Sequence, residues 1–238
     1  MDPADAVAAD AVAVIPARGG SKRIPRKNVR EFCGEPMIAR PVRAALESGC
    51  FAAVVVSTDD EEIARVARAA GAQVPFMRPA ALADDVTPTI PVIRHAIDAL
   101  PEAIPAPGAV CCIYATSPFL RPEDIRRGRD ALLATGCDFA LSVTAYAFPV
   151  QRALTRAADG TVAMMHPENF AVRSQDLEEA WHDAGQFYWG TVAAWRAHDT
   201  IFTGRARGVA LPRSRVQDID TPEDWEQAEA MFRALGPG

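Results

Sequence analysis

Residues 12–28, V-A-V-I-P-A-R-G-G-S-K-R-I-P-R-K-N, constrain the fold more than any other stretch of the chain. The apolar run at 12–15 reads as a short buried strand. Pro16 has no N–H to give a sheet ladder and stops it. Gly19 and Gly20 follow, and without Cβ atoms they let the backbone pass close to a ligand. Six cations, Arg18, Lys22, Arg23, Arg26, Lys27 and Arg30, stand among the thirteen residues 18–30. A solvated basic loop is one reading of such a run. The other is a polyphosphate cradle, in which backbone N–H groups and cationic heads share the ligand's charge. The strand directly upstream and the paired glycines favour the cradle. It is neither common phosphate motif, since G-x-x-x-x-G-K-[ST] and G-x-G-x-x-G are both absent here.

The downstream pattern extends the strand–loop–helix theme. A helix is expected over 36–48, closed by Gly49. A β-branched strand is expected at 53–57. Thr58, Asp59 and Asp60 offer N-cap chemistry for a helix over 61–70 that Gly71 ends. A short third strand at 74–76, a helix over 90–100, a strand at 110–114, a helix over 122–134 and a strand at 139–144 follow. Thr221 and Pro222 start a last helix that runs to about 235. This alternation predicts an α/β, Rossmann-like, mostly parallel sheet flanked by helices, with its ligand at the carboxyl ends of the strands. Residues 145–181 break the pattern, and Asp159-Gly160 predicts a β-hairpin inside that insertion. The Ala- and Asp-rich residues 1–10 read as a disordered leader, leaving 11–238 as one domain.

With 238 residues, 49% of them hydrophobic, the chain has ample material for one large domain. A net charge of −6 with one basic loop argues against nucleic-acid binding, which prefers an extended basic face. No apolar run is long enough to span a membrane. The five cysteines include no C-x-x-C pair, and Cys111-Cys112 lies within an apolar run, so a reduced, cytoplasmic protein is expected. None of His95, His166, His182 and His198 has zinc spacing.

Asp218-Ile219-Asp220 is the second chemical signal. On a strand the two carboxylates face one way and Ile219 the other. Like charges so close repel unless a cation lies between them, and Mg²⁺ takes a few carboxylates plus phosphate oxygens. The alternative is a surface pair that caps the helix starting at Thr221. Asp85, before the helix over 90–100, is open to a capping or a functional role in the same way.

A-R-G-G-S-K at 17–22, P-R-K-N at 25–28, F-C-G-E-P-M-I at 32–38, T-S-P at 116–118 and the D-x-D at 218–220 resemble the cytidylyltransferases that make CMP-linked nonulosonic acids. The likeness covers nearly all of the chain from Val12 to Trp225. Stretches such as H-D-A-G-Q-F-Y-W-G at 182–190 look most like the branch acting on pseudaminic acid, with the sialic and legionaminic branches and an inactive nucleotide-sugar-binding protein as alternatives. The resemblance implies CTP and a nonulosonic acid as substrates, with CMP-sugar and pyrophosphate as products. It implies catalytic roles for Arg18, Lys27, Asp218 and Asp220, with Mg²⁺ held by the two aspartates. Nucleotide contacts would come from Ala17, Arg18, Gly19, Gly20, Ser21 and Lys22, then from Lys27, Asn28, Arg78, Thr89 and Tyr114. Sugar contacts would come from Arg173, Gln175, Gln186 and Tyr188. It also implies a homodimer paired through the insertion, which would close the partner's sugar pocket. One position departs: Tyr114 stands where the family usually has glutamine, and a phenol cannot reproduce both amide contacts.

Overall fold

A computed structural model describes residues 11–236; the leader expected at 1–10 lies outside them. The chain runs β1 (Val12–Pro16), β2 (Glu31–Phe32), β3 (Glu35–Pro36), α1 (Ala39–Ser48), β4 (Ala53–Ser57), α2 (Glu61–Ala69), α3 (Thr89–Asp98) and β5 (Ala109–Ile113). It continues with α4 (Pro122–Thr135), β6 (Phe139–Ala145), β7 (Leu154–Arg156), β8 (Val162–Met164), β9 (Trp181–Thr191), α5 (Val192–Ala197), β10 (Ala206–Ala210) and α6 (Pro222–Leu235).

Six strands make the central sheet in the order β10-β6-β9-β5-β1-β4. β1 pairs in parallel with β4 and β5, and β10 with β6. Only β9 is antiparallel, to β5 and β6 on its two sides. The short apolar strands are buried on both faces, as parallel strands with helices above and below must be. Val12 and Val14 pack with Val55 and Cys112 against Ile90 and Ile93 of α3 and Trp195 of α5. Ala13 and Ile15 pack on the other face with Val56 and Cys111, against Val42 of α1, Ile63 of α2 and Ile125 of α4. Cys111 and Cys112 therefore point to opposite faces; both are buried and free, and burial pushes both thiols up from their ordinary pKa.

A third cluster supports the cleft from beneath. Ile24, Phe32, Met37, Phe119, Ile219 and Trp225 pack together, clamping the basic loop and the D-x-D segment under α6. Thr221 and Asp224 form the capping box of α6, the Thr221 hydroxyl accepting from the Asp224 N–H while Asp224 accepts from the Thr221 N–H.

Three expectations change. The helix foreseen from 36 starts at Ala39, because Glu35-Pro36 pairs with Glu31-Phe32 across a turn whose Cys33 and Gly34 both have positive φ. Residues 74–76 form no strand; only isolated bridges, Val55 with Gln73 and Thr58 with Met77, hold that segment beside β4. The D-x-D segment is not a strand either, since the Asp220 N–H donates to the Asp224 carboxylate at 3.1 Å rather than to a ladder. Its alternation survives, with Ile219 at 1% exposure between the two aspartates. The hairpin forms around Asp159-Gly160, and its Leu154 and Val162 are exposed.

Candidate active site

Because β1, β4 and β5 are parallel, the loops after Pro16, Ser57 and Ile113 leave the same edge of the sheet. The first of these is tied down at three points. The Ala17 N–H donates to the Ser57 carbonyl at 2.9 Å, and the Ala17 methyl is buried in the core. The Gly19 N–H donates to Asp59 Oδ1 at 3.0 Å, and Asn28 Nδ2 to the Arg18 carbonyl at 3.0 Å. Asp60 caps α2, accepting from the Ile63 N–H at 2.9 Å, and also takes Arg26 Nη1 at 2.7 Å. The Arg26 guanidinium holds that carboxyl below the ordinary carboxylate range.

The two glycines are required differently. A Cβ on Gly19 would stand 2.7 Å from Asp60 Oδ2, whereas one on Gly20 would meet nothing within 4 Å. The first glycine thus serves the approach of the loop to α2 and not the approach of a ligand. Gly19→Ala is expected to weaken nucleotide binding by roughly tenfold by shifting the loop, and Gly20→Ala by much less, both with little change in Tm. Calorimetric titration of the two variants with CTP tests this; equal effects would contradict it.

The loop's cations divide. Arg18, Lys22, Arg23 and Lys27 line a cleft of about 470 Å³, together with Ser21, Asn28, Arg78, Thr89, Tyr114 and Asp220. Arg26 turns instead to Asp60 and Glu62, and the Arg30 guanidinium lies 4.7 Å over the Trp225 ring. Asp85 enters from the opposite wall and pairs with both Arg18 and Lys22. Asp220 pairs with Arg23 at 2.8 Å and Lys27 at 3.4 Å, and Lys27 Nζ also donates to the Ile219 carbonyl at 2.7 Å.

Arg78 is held beside β4 by its N–H, which donates to the Thr58 carbonyl at 2.7 Å. It is only 6% exposed, and burial pulls its pKa down. Its Nη1 reaches the Leu82 carbonyl at 3.4 Å, and Nη2 faces Asp59 Oδ1 at 3.9 Å, while neither Nε nor Nη2 has a hydrogen-bond partner. A buried guanidinium with unmet donors at a cleft wall is costly unless something arrives to accept from it.

The Tyr114 hydroxyl lies 3.1 Å from Thr89 Oγ1. Its ring meets Tyr188 edge-on at 5.2 Å, and the Tyr188 hydroxyl donates to Asp183 Oδ2 at 2.7 Å. Burial raises both phenols. Tyr188 itself is buried behind Tyr114, and Gln186 is buried with Nε2 donating to the Arg215 carbonyl at 2.5 Å; neither lines the cleft. Arg173 is bound to Asp176 at 2.7 Å, and it and Gln175 lie exposed on the insertion, away from the cleft lining of their own chain.

Asp218 has one side open to solvent. Packing against its other side, and then the charge of Asp220, raise its pKa. Among the described residues no three His, Cys, Asp or Glu side chains converge as a complete metal cage. An aspartate pair with one destabilised carboxylate fits an ion that takes its remaining ligands from phosphate oxygens and water. Asp59 and Asp183 hold Gly19 and Tyr188, and Thr116 lines the cleft; none of these roles is written in a local sequence pattern. Asp59 was visible only as a cap candidate, and Thr116 only as part of the T-S-P turn.

A family model described as Cytidylyltransferase matches residues 12–231. Pseudaminic acid cytidylyltransferase of Campylobacter jejuni is 41% identical over 220 residues, which cover 92% of this chain and 95% of that one. CMP-N,N'-diacetyllegionaminic acid synthase of Legionella pneumophila is 33% identical, covering 93% of this chain and 95% of that one. Among solved structures, a CMP:2-keto-3-deoxy-manno-octonic acid synthetase complexed with CTP shares the fold at a TM-score of 0.69 and 18% identity, covering 95% of this chain and 99% of that one. The chain belongs to the cytidylyltransferase family, whose model spans the whole sheet and both candidate chemical segments. Its similar curated relatives include enzymes named for CMP transfer to pseudaminic, legionaminic and acylneuraminic acids.

Proposed function

We propose that this chain activates a nonulosonic acid with CTP, pseudaminic acid by preference, giving the CMP-sugar and pyrophosphate. The observation that carries the reading is four loop cations lining one cleft at the carboxyl edge of β1, Arg23 and Lys27 paired with Asp220 and Arg18 and Lys22 with Asp85, while Asp218 stands two residues from Asp220 outside the cleft lining. That arrangement suits a triphosphate. The anomeric hydroxyl of the sugar attacks the α-phosphorus in line, a C–O–P bond forms, and the bond to the β-phosphate oxygen breaks. Catalysis of such a step is mostly positioning and charge stabilisation.

In this reading Arg18, Lys22 and Lys27 hold the phosphates and meet the charge developing on the leaving pyrophosphate. The backbone N–H groups of Arg18 and Gly20 serve the same anion, since those of Ala17, Gly19 and Ser21 donate to Ser57, Asp59 and Gly19. Arg78, with its free donors, accepts the nucleoside, aided by Asn28, Thr89 and Tyr114. Asp218 and Asp220 would hold Mg²⁺. The ion, when bound, neutralises the triphosphate and makes the sugar hydroxyl more acidic. Tyr188 and Gln186 act from behind the wall, fixing Tyr114 and the segment around Arg215.

The insertion exposes Tyr146, Phe148, Leu154, Val162, Met165, Phe170 and Trp181. An isolated two-stranded hairpin is marginal in water, and so much apolar surface suits a second copy of the chain. A homodimer would bring Arg173 and Gln175 to the partner's cleft. A reduced cytoplasm, where CTP is made, suits the free thiols.

A pocket that hydrogen-bonds one epimer rejects others by leaving its polar groups unpaired. The kcat/KM for pseudaminic acid is therefore expected to exceed those for N-acetylneuraminic and legionaminic acids by roughly 10²-fold or more. A side-by-side kinetic comparison tests this. Equal or reversed ratios would remove the sugar assignment and leave the wider reaction standing.

A further inference from the structure

Two of the cradle's cations are already occupied by a carboxylate from the opposite wall. Arg18 and Lys22 both bind the carboxylate of Asp85 across the cleft. Both cations, Lys22 first, hold that carboxyl below the ordinary range. The loop presenting it is preformed. Asp84 Oδ1 accepts from the N–H groups of Val86 at 3.1 Å and Thr87 at 2.6 Å, a tight turn that leaves Asp85 facing the cleft. The neighbouring aspartates thus divide the work: Asp84 binds its own backbone, and Asp85 binds the phosphate cations.

We propose that Asp85 is an internal competitor for the phosphate groups, a carboxylate that fills the Arg18–Lys22 site until a polyphosphate displaces it and refills it when pyrophosphate leaves. The inference rests on the phosphate-binding reading of the loop, not on the identity of the sugar or base. Its consequence is selective. Any ligand that needs Arg18 and Lys22 must first displace Asp85, so its apparent affinity falls by one common factor. A ligand that touches neither cation is unaffected. Pyrophosphate release is assisted, because the departing anion leaves a matched carboxylate behind and not two bare cations. Asp85 is thereby a specificity-determining residue.

Exposed ion pairs such as these are each worth little, because water and salt screen them. Removing two of them should therefore tighten binding by roughly three- to tenfold. The test is calorimetric titration of wild type, Asp85→Asn and Asp84→Asn with three probes: inorganic triphosphate, CTP and cytidine. Asp85→Asn is expected to bind triphosphate and CTP three- to tenfold tighter and cytidine unchanged, and to be inhibited by pyrophosphate at correspondingly lower concentration. Asp84→Asn controls for general charge, because it removes the same charge one residue away without touching either cation, and is expected to leave triphosphate affinity near wild type. An Asp85→Asn affinity for triphosphate that is unchanged or weaker would overturn the proposal. So would an equal gain in Asp84→Asn, or a shift in cytidine affinity as large as that for triphosphate. If wild type bound triphosphate but not CTP in preference to other nucleotides, the cytidylyltransferase reading would fail while the Asp85 comparison kept its meaning. Asp85→Ala repeats the measurement should the amide form new hydrogen bonds to Arg18.

Discussion

Asp218→Asn is expected to lower kcat for pyrophosphate release by roughly 10²–10³-fold without lowering Tm. The asparagine keeps the shape of the side chain and removes its charge. That charge costs the folded chain something, since packing and Asp220 both raise the Asp218 pKa; neutralising it relieves a repulsion and does not break a bond. Ile219 still anchors the segment in the cluster with Trp225. If the aspartates hold the divalent ion, the loss falls on kcat and on the Mg²⁺ concentration needed for half-maximal rate. Asp220→Asn should lose as much activity but also frees Arg23 and Lys27, so its KM for CTP should shift separately. An Asp218→Asn enzyme with unaltered kcat would remove the metal assignment.

The largest stability effect is expected at Arg215. Its guanidinium is almost enclosed and forks onto Asp124 at the start of α4, with Nη2 donating to Oδ1 at 3.2 Å. Nη1 pairs with Oδ2 and reaches the Phe119 carbonyl at 3.4 Å. The Arg215 carbonyl takes the Gln186 amide. One residue thus joins the turn after β5, the head of α4, β9 and the approach to the D-x-D segment. Removing Arg215 leaves the buried Asp124 carboxylate with only Arg127, whose half-exposed guanidinium donates to Oδ1 at 3.1 Å, so the cost approaches the about 3–5 kcal/mol of a broken buried pair. Arg215→Met should therefore lower Tm by roughly 6–20 °C. The double variant Arg215→Met/Asp124→Leu should recover much of that, because hydrophobic groups of similar volume often replace a buried pair at little cost. Differential scanning calorimetry of the single and double variants checks both statements. A Tm loss under about 2 °C in Arg215→Met, or full additivity in the double variant, would contradict the account.

The sequence disclosed the sheet where burial is two-sided. Runs such as A-V-V-V-S at 53–57 leave no face for water and so declare a strand between helix layers. It disclosed the phosphate loop because a strand, a proline stop and two glycines are a local pattern. It could not disclose which cations reach the cleft. Arg26 and Lys27 are adjacent, yet one turns to the α2 cap and the other to Ile219, a difference set by contacts 34 and 192 residues away. The central placement of β9 was equally hidden. Its residues from Gln186 to Gly190 are buried on both faces like those of the parallel strands, but lying antiparallel between β5 and β6 depends on a chain excursion through the insertion. The strand expected at 74–76 failed because strand propensity without a full ladder partner yields only isolated bridges. Arg78 shows both sides of the limit: its position was legible from R-P before the polar loop, but its burial with unfilled donors was not.

The central claim is that this cleft joins a cytidylyl group to a sugar. Phosphorus NMR of the purified protein with CTP, Mg²⁺ and pseudaminic acid tests that most directly. The account predicts a new phosphodiester signal, from CMP-sugar, appearing in equal amount with pyrophosphate as the CTP signals decay. CTP that stays intact, or that gives CMP and pyrophosphate with no phosphodiester whichever of pseudaminic, legionaminic and N-acetylneuraminic acids is supplied, would contradict it.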